Sequence, residues 1–304
     1  WTLSKSGTPR LKRVSANRPN PAGPVDDDLA ILKVVRGVEV AFLLSMGCHA
    51  NLVNGPVITS DFPGRIGPAL EAGIGGPVKL FFLQGFGGNV RPNVLTEKPS
   101  FWTDLKGWVV ETVEGRSFEK HATEAKITEV GKHLARRILS VPPERYRKIE
   151  GDIQVSESEV HLSLQPNPGH PAAAGTGQTS TSHGTDAGSD GQGAAGRTSV
   201  SFRIKRIRLG NEVSLISIPA EVFCEYSLEI KKLLSPEMVF PLGCSDGMVG
   251  YLPTGKAMQE GGYECERAYR LFGLPAPFSP AVESSVLEGV RRLISLGPAD
   301  PLEG

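Results

Sequence analysis

The chain has no surplus of charge of either sign, since 33 Lys and Arg stand against 33 Asp and Glu. Without a basic excess there is nothing to neutralise a phosphate backbone or hold an anionic membrane surface, so nucleic acid is set aside as a partner. Long apolar runs are also lacking. The most apolar stretches, EVAFLLSMG (39–47) and VKLFFLQG (78–85), fall far short of the ~20 residues that cross a bilayer, and no transmembrane segment is expected. The cysteines, Cys48, Cys224, Cys244 and Cys265, show no C-x-x-C spacing, which argues against a zinc knot or a thioredoxin-type motif. A plain core role suits Cys48 and Cys224 best, and the redox compartment stays open. The opening WTLSKSGTPRLKR has neither an initiator Met nor an apolar signal-like segment, and the true N-terminus is expected to lie upstream.

What is present is the composition of an ordinary globular protein: 304 residues, 39% hydrophobic and 22% charged, enough for one large domain or two modest ones. Residues 1–27, rich in Pro, Asn and Arg, read as an extended arm, and 28–304 as a single domain. LAILKVVRG and VEVAFLLSMG form a hairpin joined at Arg36-Gly37, a helix follows near GRIGPALEAGIG, and VKLFFLQG reads as a fully buried strand. Apolar residues at helical spacing (Ala122, Ile127, Val130, Leu134, Ile138) predict a helix with His121 and His133 on or beside its exposed side. The alternation of KIEGDIQVSESEVHLSL predicts a strand with His161 at the surface. Residues 166–198 lack the apolar groups that offset ordering entropy and are expected to form a disordered insertion, in which His170 and His183 carry no chemistry. Beyond it come a hairpin (SVSFRIKRIRLG, EVSLISIP), a helix from about Ala220 to Leu234, the strand MVFPLG and a last helix PAVESSVLEGVRRLISLG. The expected class is α/β, with mixed β-sheets flanked by helices.

Three loops carry candidate chemistry. In MGCHANLVNGPVITSDFPG, His49 follows a buried strand, where a metal ligand and a hydrogen-bonded histidine at a strand end are both reasonable. In FFLQGFGGNVRPN, Gly85, Gly87 and Gly88 permit close backbone approach to a ligand, or simply make a tight turn. The spacing is not G-x-G-x-x-G, and no P-loop lysine or ribose-binding acid follows, which leaves a nucleotide-binding reading weak. In the third, SIPAEVF with GMVGYLPT, Glu221 falls in the first turn of the predicted helix, where its dipole already favours a carboxylate, and Tyr251 could plug a Gly/Pro loop. Phe82, Phe86, Val90 and Leu95 would serve equally as a greasy cleft or as core.

The joint order of a His loop, a Gly-rich loop after a strand, PAE, GYLPT and then EGGYE resembles the neutral/alkaline (non-lysosomal) ceramidase family, zinc amidases that cleave the amide of N-acylsphingosine, and especially its short bacterial members. The resemblance runs from about Asn17 (NRPNPAGPVDDDLAILKV) to about Glu264. It implies a ceramidase-like catalytic domain, Zn2+ as cofactor, a lipid amide substrate, and His49, Glu221 and Tyr251 as metal residues. It further implies that Tyr251 and Asp61 act in catalysis, Asp61 as a proton shuttle or as a group orienting His49, and that Gln84, Gly85, Gly88, Asn89 and Arg91 line the substrate cleft. The family's other zinc-binding histidine comes from a motif ahead of the Asn-Arg arm, and no histidine precedes Asn17 here; an upstream segment is expected to supply it. Asn89 stands where the family often has Asp, and Arg91 where the ceramidases carry Ser. These departures keep a second expectation open, a ceramidase-fold binding protein without an active metal centre.

Overall fold

The computed structural model describes residues 2–3, 9–10, 20, 22–53, 55–96, 100–114, 118–119, 121–166 and 198–296. Most of the expected arm and the expected disordered insertion, with His170 and His183, lie outside them. In chain order the strands and helices begin β1 (Thr2–Leu3), β2 (Pro9–Arg10), β3 (Leu29–Arg36), β4 (Glu39–Met46), α1 (Pro63–Ile74), β5 (Val78–Gln84), α2 (Leu105–Glu114), α3 (Glu124–Leu139) and β6 (Ile153–Ser163). They continue β7 (Ser199–Leu209), β8 (Val213–Ser217), β9 (Glu221–Val222), α4 (Cys224–Leu234), β10 (Met238–Leu242), β11 (Tyr251–Leu252), α5 (Gly255–Glu260), α6 (Tyr263–Glu266) and α7 (Val282–Ser295).

The chain divides into two compact units. The smaller comprises residues 1–23 and 93–119. It contains the β1–β2 pair, a bridge between Leu95 and Phe118, and α2, ahead of which Phe101 stands edge-on to both Trp102 and Trp108.

The larger unit, residues 24–92 and 120–304, holds the mixed sheets expected from the sequence. One has the order β3-β4-β5, with β3 antiparallel and β5 parallel to β4. The β3–β4 hairpin turns at Gly37, whose φ of 60° is open to glycine at little steric cost. Its parallel step needs a crossover, and α1 supplies it: Pro63 opens the helix and Gly75, at φ 76°, closes it. The strand β5 is not fully buried as its apolar run suggested. It is the sheet's edge, and Phe81 is 52% exposed.

The second sheet has the order β10-β8-β7-β6, antiparallel except for the parallel β8–β10 pair. Alternate residues Val160 and Leu162 of β6 and Phe202 and Ile204 of β7 point into a core shared with α4 and α7. Beneath the first sheet, Ile66 and Leu70 of α1 pack with Ala135 and Ile138 of α3 against Phe42 and Leu44. The helical spacing was read correctly from Ile127 to Ile138, but Ala122 precedes the helix, whose N-cap Thr123 accepts the Lys126 amide. His121 and His133 are exposed, and His161 lies at the surface beside Ser201 (2.6 Å). No helix among the described residues is long and apolar enough to cross a membrane.

Where α1 and α3 meet, Gly131 faces the main chain of Arg65. A Cβ there would sit 2.9 Å from the Arg65 carbonyl carbon and closer still to its Cβ. Gly131→Val should therefore destabilise the unit by about 1–3 kcal/mol, read as a lower urea midpoint; an unchanged midpoint would mean that the two helices separate without cost.

Candidate functional site

The parallel pairs β4–β5 and β8–β10 end close together in the larger unit. The segments that follow β4, β5, β8 and β10 carry His49, the Gly-rich loop, Glu221 and Cys244 respectively. Such carboxyl ends are where open α/β sheets leave room for ligands. The two ends are tied together: the Ser45 hydroxyl donates to the carbonyl of Pro241 (2.6 Å) and the Gly243 amide to that of Gln84 (2.8 Å).

Glu221 is not in a helical turn. The helix α4 starts at Cys224, and Glu221 belongs to the short strand β9, paired in parallel with β11 so that Glu221 and Tyr251 are register partners. The physical reason is a ladder with a later segment. The Glu221 amide donates to Gly250 (2.9 Å) and the Phe223 amide to Leu252 (3.3 Å), so these backbone groups serve a sheet rather than a first helical turn. Side-by-side pairing puts the two side chains together. The Tyr251 hydroxyl donates to the Glu221 carboxylate, and burial together with that carboxylate pushes the phenol's pKa well above its ordinary value. Tyr251 therefore stays protonated in the unliganded chain.

His49 completes the cluster from the other sheet. Its Nε2 lies 3.5 Å from Glu221 Oε2 and 3.3 Å from the carbonyl oxygen of Gly88. The two side chains are 28% and 19% exposed, so solvent reaches the pair from one side. Behind Tyr251, whose ring meets Phe272 and Tyr263 edge-on, is a pocket of about 10 Å3 between Met258, Tyr269 and Phe278, room for about one water.

The Gly-rich loop packs main chain against main chain. Gly85 and Gly88 are buried against other main chain: a Cβ on Gly85 would meet the Met46 carbonyl carbon at 2.6 Å, and one on Gly88 the Glu221 carbonyl oxygen at 2.6 Å. The Gly88 amide donates to Val222 (2.7 Å), while the His49 amide donates to Val90 (3.0 Å). Gln84 Nε2 donates to the carbonyls of Cys48 and Gly85, both at 3.1 Å. Asn89 is exposed but both ends of its amide are engaged, Oδ1 accepting from Cys224 N (2.9 Å) and Nδ2 donating to Glu225 Oε2 (2.8 Å). Arg91 is half-buried, near enough for its charge to act on the Cys48 thiol. Phe86 is core, and Phe82 stacks edge-on against Phe62.

Asp61 is 2% exposed, at φ 49°, and both carboxylate oxygens accept main-chain amides, Oδ2 that of Val53 (2.8 Å) and Oδ1 that of Phe62 (2.7 Å). It closes the loop that follows His49. The cysteines are free, and none is prepared as a nucleophile. Burial and the Asp61 carboxylate push Cys48 up to about 12, and desolvation with the Glu221 carboxylate pushes Cys244 up to about 11.

Whether these residues suit zinc is tested by donor type and spacing. Two ligands about 2.1 Å from a shared tetrahedral ion stand about 3.4 Å apart, and the His49–Glu221 separation is 3.5 Å. Imidazole nitrogen and carboxylate oxygen are both zinc donors. The pair fits two corners of such a site. Among the described residues no group of three or more His, Cys, Asp and Glu side chains gathers to hold a metal, so a phenol or a donor outside them is needed for the rest.

No family model matches the sequence, and no curated protein does. Solved structures do match. A neutral ceramidase from Pseudomonas aeruginosa superposes with a TM-score of 0.57 at 15% identity, over 90% of this chain and 48% of that one. A ceramidase complexed with C2 gives 0.57 at 16% identity, over 93% of this chain and 51% of that one. The fold is that of the ceramidases. This chain spans about half the length of those proteins, and at such identity the likeness is one of architecture.

Proposed function

We propose that this chain is a zinc-dependent amide hydrolase acting on a ceramide-like N-acyl lipid, with His49 and Glu221 as metal ligands and Tyr251 beside them. The observation that carries the reading is the meeting of an imidazole and a carboxylate from two different sheets at 3.5 Å, with a protonated phenol on the carboxylate, in a ceramidase fold. Zinc at such a centre supplies Lewis acidity toward an amide carbonyl and acidifies water. The protein's own part is positional and protonic. Tyr251, kept protonated, would turn its one hydroxyl hydrogen from the Glu221 carboxylate to the oxygen on which negative charge develops as the carbonyl is attacked. Asp61, with both oxygens engaged by amides, orders the His49 loop and does not carry the proton to the leaving amine. Glu221 is the carboxylate beside His49 in this arrangement, and Tyr251 or a donor outside the described residues would complete the set.

The test is zinc stoichiometry together with release of sphingosine from a short-chain N-acylsphingosine. His49→Ala and Glu221→Gln should each lower bound zinc at least about tenfold and remove hydrolysis. A second reading, a ceramidase-fold lipid binder without metal chemistry, is favoured by Asn89 and Arg91, which stand where the resemblance leads one to expect Asp and Ser. It would be the correct one if the wild-type protein retains the lipid but takes up no zinc and leaves the amide intact.

A further inference from the structure

The helix α4 begins directly after the strand that bears Glu221, and its start is held in an unusual way. Its own N-cap residue is Phe223, whose side chain accepts nothing. The first turn of a helix leaves amide protons without partners, and a fully buried one such as that of Cys224 is costly to abandon. Asn89, which is 135 residues away in sequence, provides the acceptor: Oδ1 takes the Cys224 amide at 2.9 Å. Its Nδ2 is steadied by Glu225 at 2.8 Å. One residue earlier the same loop donates Gly88 N–H to Val222 (2.7 Å) and presents the Gly88 carbonyl to His49 (3.3 Å); one residue later Val90 accepts the His49 amide (3.0 Å).

We infer that Asn89 is a positioning residue for the site, a latch whose acceptor oxygen sets the distance between His49 and Glu221 by clamping the Gly-rich loop, to which His49 is hydrogen-bonded, onto the segment 221–224. The inference rests on the reading of His49 and Glu221 as the working pair. The contacts that define it are those of one side chain to the Cys224 amide and the Glu225 carboxylate, with main-chain hydrogen bonds of Gly88 and Val90 on either side. The latch needs an acceptor toward Cys224 and a donor toward Glu225: alanine loses both and leaves a buried amide proton without a partner, whereas aspartate keeps the bond to Cys224 only when Glu225 is changed to glutamine, whose amide supplies the donor.

Hydrogen exchange of the intact chain, followed at the amides of Cys224, Gly88 and His49, separates a latch from a simple cap. In Asn89→Ala all three should exchange faster together, by about tenfold or more, and the pair Asn89→Asp with Glu225→Gln should restore all three to near the wild-type rate. Acceleration at Cys224 alone, with Gly88 and His49 unchanged, would reduce Asn89 to a helix cap and overturn the inference. With short-chain N-acylsphingosine as substrate, Asn89→Ala should lower kcat about tenfold or more with little change in KM, and Asn89→Asp with Glu225→Gln should recover it. A raised KM at constant kcat would instead make Asn89 a substrate contact, which also overturns the latch. If the wild-type chain neither binds zinc nor cleaves the amide, the proposed function fails, and the exchange pattern still decides the latch.

Discussion

Gly88→Val should leave a chain that folds poorly and has no assembled site. The Cβ it introduces meets only main chain, the carbonyl oxygen and carbon of Glu221 at 2.6 and 3.0 Å and the carbonyl oxygen of Val222 at 3.1 Å, so no side chain can rotate out of its way. The hydrogen bond from Gly88 N–H to Val222 (2.7 Å) must break, and the Gly88 carbonyl must leave His49. Overpacking costs about 1–3 kcal/mol and an orphaned buried amide about as much again, so a loss near 3 kcal/mol or more is expected in urea denaturation. Under the proposed function, the effect on hydrolysis should be larger than on stability, since a displacement of ~1 Å between reacting groups costs about 100-fold. Gly76→Ala is the control: a Cβ at Gly76 meets nothing within 4 Å, and this variant should match the wild type in both assays. If Gly88→Val keeps the wild-type midpoint and zinc content, the loop is not what joins the two halves of the site.

The same loop shows what the sequence could and could not reveal. Local periodicity was enough for the β3–β4 hairpin, the helix α3 and the strands β6 to β8, because each depends on which face of a short segment is buried. The order of loops was enough to point to a ceramidase fold. Glu221 was misassigned to a helix because its strand is two residues long and exists only through pairing with Tyr251 and Leu252, a non-local ladder that no window around Glu221 contains. The exposure of Phe81 was hidden for a similar reason, since an apolar run does not say whether its strand is central or at an edge. The glycines were recognised as places of close approach, but whether a ligand or another main chain approaches is decided only in three dimensions. The engagement of Asn89 with Cys224 and Glu225 leaves no local sequence signature at all, because Phe223 at the helix start gives no hint that its cap comes from elsewhere.

Stability should fall steeply above pH 9, and two thiols on the edges of the site should account for much of the fall. Burial pushes Cys48 up to about 12, with the Asp61 carboxylate adding to the effect and Arg91 partly opposing it. Burial, then Glu225, pushes Cys224 up to about 12 from an ordinary value near 9. In the unfolded chain both thiols ionise near 9; in the folded chain both stay protonated to about 12. Groups whose folded value is raised contribute stability that is complete below the unfolded value and is lost as pH climbs to the folded one, so the window is pH 9 to about 12. Each thiol removes about 1.4 kcal/mol per pH unit within it, and the pair together about 3. Tyr226, pushed well up by burial and with its hydroxyl on the Pro253 carbonyl, adds in the same direction at higher pH. Guanidinium denaturation at pH 8, 9, 10 and 11 measures the slope, and the comparison that isolates the thiols is within each protein rather than between proteins. Cys48→Ala and Cys224→Ala both give up some packing at pH 8, yet each should decline with pH by about 1.4 kcal/mol per unit less than the wild type. Equal slopes in all three would mean that the two thiols ionise in the folded state as readily as in the unfolded one, and that the loops holding them are open to water.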